Sequence, residues 1–240
     1  MSAAKRYIIF LLLLFAAGLA VVVLFPRGDA ERTSVLRVGA GDDITGVLLD
    51  EIAAISGGNV ETYRFMDCCS NSSQWALISD EIDMGFFCNH MSLYTVNASD
   101  NFEIYGPVVM NAEVIACKGK PDDITKLGLP QKRSHIRELA ERRLPGVETT
   151  EINVESTLYA VESGQVDGAV VDVSREADME GYGFYPLSDQ DYISFCLVVR
   201  RDIIGTAAFE KFISCCNAAA EKLSRSEYAV SAVKFLYLQG

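Results

Sequence analysis

The chain has 240 residues, half of them hydrophobic, which is enough for one large or two small packed domains. Its formal net charge of −12 excludes nucleic acid as a partner, because a phosphate backbone demands a basic face. Seven cysteines are an odd number, so at least one thiol stays outside any intrachain disulfide.

At the N-terminus, Lys5 and Arg6 precede Tyr7–Phe25, nineteen residues without a charge, closed by Pro26-Arg27. A secretory apolar segment runs about 7–15 residues, whereas about 20 apolar residues span a bilayer as a helix. The length favours residues 1–31 as an uncleaved signal anchor, a transmembrane helix with both cations on the cytoplasmic side. A cleavable signal is the rival, since Gly28-Asp29-Ala30 offers small residues at a cleavage site. The remaining residues are therefore expected outside the cytoplasm, anchored to the cell membrane or released into the periplasm.

Strands and helices then alternate. Leu36–Gly41 (LRVGAG) reads as a buried strand, and Thr45 caps a helix, TGVLLDEIAAIS, that stops at Gly57-Gly58. Val60–Met66 is the next strand, Ser70–Ser73 opens the helix SQWALISDE, and Ile82–Cys88 is a third strand. Tyr105–Lys118 (YGPVVMNAEVIACK) is a longer extended run. The scheme then repeats: strand Ile124–Leu129, helix Ser134–Leu144, strand Val147–Ile152, helix STLYAVESG and strand Val166–Val171. Tyr192–Arg200 is a final apolar strand, and Thr206–Leu223 and Glu227–Leu238 have helical spacing. This alternation implies βαβ units and mostly parallel sheets.

Two segments superpose: ALISDEIDMGFF (76–87) and AVESGQVDGAVV (160–171) share Ala, Ser and Asp at the same offsets, 84 residues apart. We read them as equivalent units of two lobes. Lobe one begins over residues 32–110, lobe two covers 111–191, and 192–240 return a strand and C-terminal helices to lobe one. Two crossings make a hinge with a cleft between the lobes.

The opening RVGAG, the paired SDEIDMGFF and SGQVDGAVV units and the linking YGPVVMNAEVIACKGK resemble the type II periplasmic binding proteins, solute receptors of ABC importers. The resemblance covers residues 34–223 and implies a two-lobed α/β fold, with permease subunits as partners. The thiol-rich MDCCSNSSQWALISDEIDMGFFC is similar to the SaoB substrate-binding (seleno)proteins. That narrower resemblance implies that one cysteine of the Cys68-Cys69 or Cys215-Cys216 pairs stands where relatives carry selenocysteine.

Ligands of open α/β sheets bind beyond the carboxyl ends of parallel strands. Three lobe-one loops meet that rule: Asp42, Asp43 and Thr45; Cys68, Cys69 and Ser70; Cys88 and His90 with Met91. Thiolates, a thioether and an imidazole suit a soft metal, so Cys68, Cys69, Cys88 and His90 are candidate ligands for a thiophilic metal, organometal or metalloid. No cofactor is expected beyond such an ion. An anion at the helix N-termini is the competing ligand. Lobe two offers Ser134, Ser156, Thr157 and Asp172, with Lys132 and Arg133 as solvated charges or cleft cations.

Each thiol also has a structural reading. Cys88, Cys117 and Cys196 end or lie in apolar strands, where burial is the common state, with a Cys117–Cys196 hinge disulfide as an alternative. One of Cys215 and Cys216 is expected to point inward, and Trp75 is expected in the core. A bridge between adjacent Cys68 and Cys69 would be strained and easily reduced. We assign that pair to a binding rim, and a structural staple is the least expected role. The alternative is a membrane-tethered thiol or selenol redox enzyme using Cys68-Cys69. A serine hydrolase is disfavoured, since no nucleophile elbow is present.

Overall fold

The computed structural model describes residues 35–66, 69–225 and 232–239, besides Phe15. The anchor expected over Tyr7–Phe25 lies, but for Phe15, outside the described residues. Among the described residues no helix is long and apolar enough to cross a membrane.

β1 (Leu36–Gly41) is buried at every position but Arg37, as a strand covered on both faces must be. Gly39 is needed there, because a Cβ would meet the Phe65 ring at 2.5 Å. α1 (Ile44–Ser56) starts at Asp43, whose carboxylate accepts from Thr45 N, and stops at Gly57 in left-handed backbone, φ 65°. β2 (Val60–Phe65), α2 (Asn71–Ile78), β3 (Met84–Cys88), α3 (Asn89–Ala98) and β4 (Phe102–Met110) complete the first run. The second run is β5 (Glu113–Cys117), β6 (Lys126–Pro130), α4 (Ser134–Arg143), β7 (Glu148–Ile152), α5 (Thr157–Glu162), β8 (Gly168–Asp172) and β9 (Gly183–Pro186). β10 (Ile193–Arg200), α6 (Ala207–Leu223) and β11 (Lys234–Phe235) follow.

Two sheets result. The first has the order β11-β4-β10-β3-β1-β2, with β1 parallel to both neighbours and β10 antiparallel to β3 and β4. The second has the order β7-β6-β8-β5-β9, with β6 parallel to β7 and β8 and β5 antiparallel to β8 and β9. The larger core gathers around the first sheet, while Ile115, Leu127, Leu129, Ile136 and Leu139 form a smaller one between the second sheet and α4.

The recurrence of residues 76–87 at 160–171 has a structural cause. Ala76 O accepts from Glu81 N and Ile82 N, and Ala160 O accepts from Gln165 N and Val166 N. Asp83 N donates to Arg37 O, and the Asp83 carboxylate accepts from Arg37 N at 2.9 Å. Asp167 N donates to Lys126 O, and its carboxylate accepts from Lys126 N at 2.8 Å. Each aspartate thus ties the entry of its strand to the entry of the parallel strand beside it. By register, Cys88 at the end of β3 corresponds to Asp172 at the end of β8.

Several expected elements differ. The run Tyr105–Lys118 is two strands in different sheets, divided at Asn111, whose φ is 57°. Residues 89–92, expected as a loop, open α3. Lys234 and Phe235, expected inside a helix, pair antiparallel with β4. Trp75 is 67% exposed, because α2 is short and turns that side to solvent. Cys117 and Cys196 lie in different sheets and no disulfide joins them, so the hinge bridge is absent. Cys215 and Cys216 are both buried, since α6 packs on α1 and sends Phe209 and Phe212 against Tyr105 and Phe86 of the sheet.

Candidate functional site

The two sheets are joined at Asn111-Ala112 and again ahead of β10. Asn111 holds these crossings together. Its N–H donates to Tyr192 O, its Oδ1 accepts from Tyr192 N at 3.0 Å, and its Nδ2 donates to Asp191 Oδ1 and Ala232 O, both at 2.8 Å. Ala112 N donates to Ser194 Oγ at 2.9 Å, so both crossing segments are pinned side by side.

Beside this hinge, loops of the two sheets enclose a cavity of about 290 Å³. Asp42, Asp43 and Met66 line it from lobe one; Glu113, Arg133, Glu155, Thr157, Asp172, Arg175 and Asp178 line it from lobe two, with Pro130, Leu158, Val170 and Met179 among the apolar walls. That volume lies near the lower end of small-molecule sites, about 300–1,000 Å³.

Among the described residues, Asp172 and Arg175 both reach from lobe two to lobe one beside it. Ile44 N, at the first turn of α1, donates to Asp172 Oδ1 at 2.9 Å. Arg175 donates to Asp42 Oδ2 at 2.8 Å and to Asp42 O at 3.0 Å. Asp172 Oδ1 also accepts from Ser174 N at 2.9 Å. A carboxylate of lobe two therefore sits on the positive end of a lobe-one helix. Asp172 Oδ2, by contrast, is buried and has no hydrogen-bond partner among the described residues. Burial, with Asp43 beside it, pushes the Asp172 carboxyl up to about 7.

A buried charged network continues into lobe two. Arg133 lies 3.4 Å from Glu113 Oε1, with only 6% and 1% of their side chains exposed. Ser194 Oγ donates to Glu113 Oε2 at 2.5 Å, and Tyr192 Oη donates to Glu113 O at 3.0 Å. Burial raises the Glu113 carboxyl above its usual range, against the opposing pull of Arg133 and Ser194. Burial likewise lowers the His135 imidazole, which favours its neutral form.

Of the residues expected from sequence, Asp42, Asp43, Thr157 and Asp172 meet at this cavity. Thr45 is buried just behind, its hydroxyl donating to Asp43 Oδ1 at 2.5 Å. Ser70 caps α2, accepting from Ser73 N at 3.3 Å. Ser134 and Ser156 are exposed and do not line the cavity. His90 is exposed on the first turn of α3. Cys69 and Cys88 are buried without lining the cavity, with their sulfurs 3.1 Å apart, while Cys68 lies outside the described residues. Among the described residues, no group of three or more His, Cys, Asp or Glu side chains could hold a metal ion.

Glu113 and Arg175 escaped the sequence reading, and Arg133 was left between two roles. Glu113 had a signal: a carboxylate inside the apolar run NAEVIAC is buried only with a partner. Lys132, with φ 63°, turns the chain so that it faces solvent while Arg133 turns inward.

No family model matches the chain, and no curated protein matches it in sequence. Solved structures do match in fold. A nutrient binding protein from Burkholderia cenocepacia bound to methionine has a TM-score of 0.64 at 16% identity, covering 84% of this chain and 99% of that one. A periplasmic substrate-binding protein of an ABC transporter from Coxiella burnetii has a TM-score of 0.62 at 14% identity, covering 84% and 100%. The zinc-bound ligand-binding component of an ABC-type import system from Staphylococcus aureus has a TM-score of 0.64 at 13% identity, covering 85% and 86%. The chain therefore has the two-lobed α/β fold of ABC-importer substrate-binding proteins.

Proposed function

We propose that this protein is the extracytoplasmic substrate-binding component of an ABC importer. It captures a small ligand between its lobes and presents it to permease subunits, while Tyr7–Phe25 tethers it to the membrane. The observation that carries this reading is Asp172. One oxygen holds the lobes together through Ile44 N, and the other is buried in the cavity wall without a hydrogen-bond partner among the described residues. A ligand that brings a cationic group to Oδ2 stabilises the closed form through the same side chain, so capture and closure are one event.

This supports a protonated amine over a thiophilic metal as the ligand. Cys69 and Cys88 do not reach the cavity, and His90 faces solvent. The cavity wall instead carries six carboxylates against two guanidiniums. Methionine, bound by the Burkholderia neighbour, is the first compound to try, since its ammonium suits Asp172 and its carboxylate suits Arg133. The thiol redox alternative gains no support from neighbours that are binding proteins, and the SaoB reading rests on the thiol-rich stretch of residues 66–88 alone.

The test is isothermal titration calorimetry with L-methionine, other amino acids and polyamines, beside zinc and copper(I) under anaerobic conditions. An amine-bearing ligand should bind, and Asp172→Asn should weaken it at least tenfold. Binding of the parent should also weaken as pH falls below about 7, where protonation removes the charge that attracts the cation. Tight binding of a soft metal, lost in Cys68→Ser/Cys69→Ser and untouched by Asp172→Asn, would overturn the amine assignment.

A further inference from the structure

Cys69 and Cys88 take no part in the cavity, yet their placement is specific. Their sulfurs stand 3.1 Å apart, about 1 Å beyond an S–S bond of about 2.05 Å. Cys88 is the last residue of β3, and Cys69 lies four residues beyond the end of β2. Those strands are not neighbours: each pairs with β1 from opposite sides. The two thiols therefore meet across the carboxyl end of the central strand, beside the loop that carries Asp42 and Asp43. Both side chains are almost fully buried, with 3% and 0% exposure.

We propose that Cys69 and Cys88 form a disulfide that staples β2 to β3 over the end of β1. The two thiols lose two protons and two electrons and gain one S–S bond. A disulfide oxidant such as oxidised glutathione takes them up and leaves as two thiols, by way of a mixed disulfide. Burial dictates when this occurs: the bond forms while the chain folds and is afterwards shielded from reductants. Such a bond fixes the rim that carries the lobe-one half of the cavity. The oxidising compartment rests on the exported reading, but the pairing itself does not.

The experiment uses the full chain, refolded with oxidised and reduced glutathione, unfolded in alkylating agent and mapped by mass spectrometry without reduction. The expected product is a single cross-linked peptide pair joining Cys69 to Cys88, retained in Cys68→Ser and lost in Cys88→Ala. For a loop of this length the bridge should raise Tm by about 6–12 °C over the reduced protein. A fully alkylated Cys69 and Cys88, or a bridge made by Cys68 to either, overturns the proposal. Parent mapping alone decides this, so a variant that folds poorly does not blur the result. Ligand binding by a chain whose thiols are both alkylated would sink the staple and leave the receptor reading intact; a mapped bridge without any ligand would do the reverse.

Discussion

Asp172 divides its work between two oxygens, and the division has a thermodynamic signature. Its carboxyl rises to about 7 in the folded chain from an ordinary value near 3.8. Between those values the native state holds a proton that the unfolded chain has released. Stability contributed by this group is thus greatest at low pH, falls through that window, and stays low above 7. Asn at this position keeps an oxygen for Ile44 N and Ser174 N but does not titrate. Asp172→Asn should therefore make the unliganded protein more stable at pH 8, by something on the order of 2–4 kcal/mol, with little change at pH 4. Urea unfolding at the two pH values measures it. A parent whose stability difference from the variant is flat across this range would mean that Asp172 is hydrated and ionised. The gain in the empty protein and the loss of ligand affinity are opposite faces of one buried carboxylate, as stability traded for function at binding sites generally is.

At the scale of elements, the two equivalent aspartates separate geometry from burial. Asp83 accepts from Arg37 N, pairs with the Arg37 guanidinium at 2.7 Å and lies 3.8 Å from Arg200, with 7% of its side chain exposed. Asp167 accepts from Thr125 and Lys126 at an exposed site. Asp83 is itself buried while Arg37 keeps 27% exposure, so losing its charged hydrogen bonds costs about 1.5–3 kcal/mol, whereas an exposed charged pair is worth about 0–1 kcal/mol. Asp83→Ala should accordingly destabilise far more than Asp167→Ala in chemical denaturation, and equal losses would contradict this. These units were legible in the sequence because their cause is local: an apolar face, a turn and a capping aspartate recur at fixed spacing. α3 was not, since NHMSLYTVNA has little amphipathic character and no side-chain cap at Cys88. The break between β4 and β5 was hidden because one left-handed Asn111 suffices to move the chain from one sheet to the other. The candidate site was half legible. Asp42, Asp43, Thr157 and Asp172 follow from the rule of strand ends, but Arg175 enters only through a turn that carries it across to Asp42.

For the molecule as a whole, the question is which contact holds the lobes closed. Among the described residues, the Asp172–Ile44 bond and the Arg175–Asp42 pair both cross the cleft, and their settings differ. Arg175 and Asp42 are 34% and 72% exposed at their side chains, a situation in which an ion pair contributes about 0–1 kcal/mol and is screened by salt. The Asp172–Ile44 bond is shielded and joins a carboxylate to the end of a helix, where such contacts are worth up to about 2 kcal/mol. Closure should therefore depend on Asp172 and only slightly on Arg175. Arg175→Ala is expected to lower ligand affinity less than about fivefold, an effect that disappears at high salt. Asp172→Ala should lower it more than tenfold, and salt should not rescue it. Fluorophores placed on α2 and α4, one in each lobe, give the direct readout by energy transfer. The Asp172 variant should populate a more open state in the absence of ligand, and the Arg175 variant should resemble the parent. If Arg175→Ala opens the lobes as far as Asp172→Ala does, the exposed pair is the clasp, and the coupling of capture to closure through one carboxylate fails.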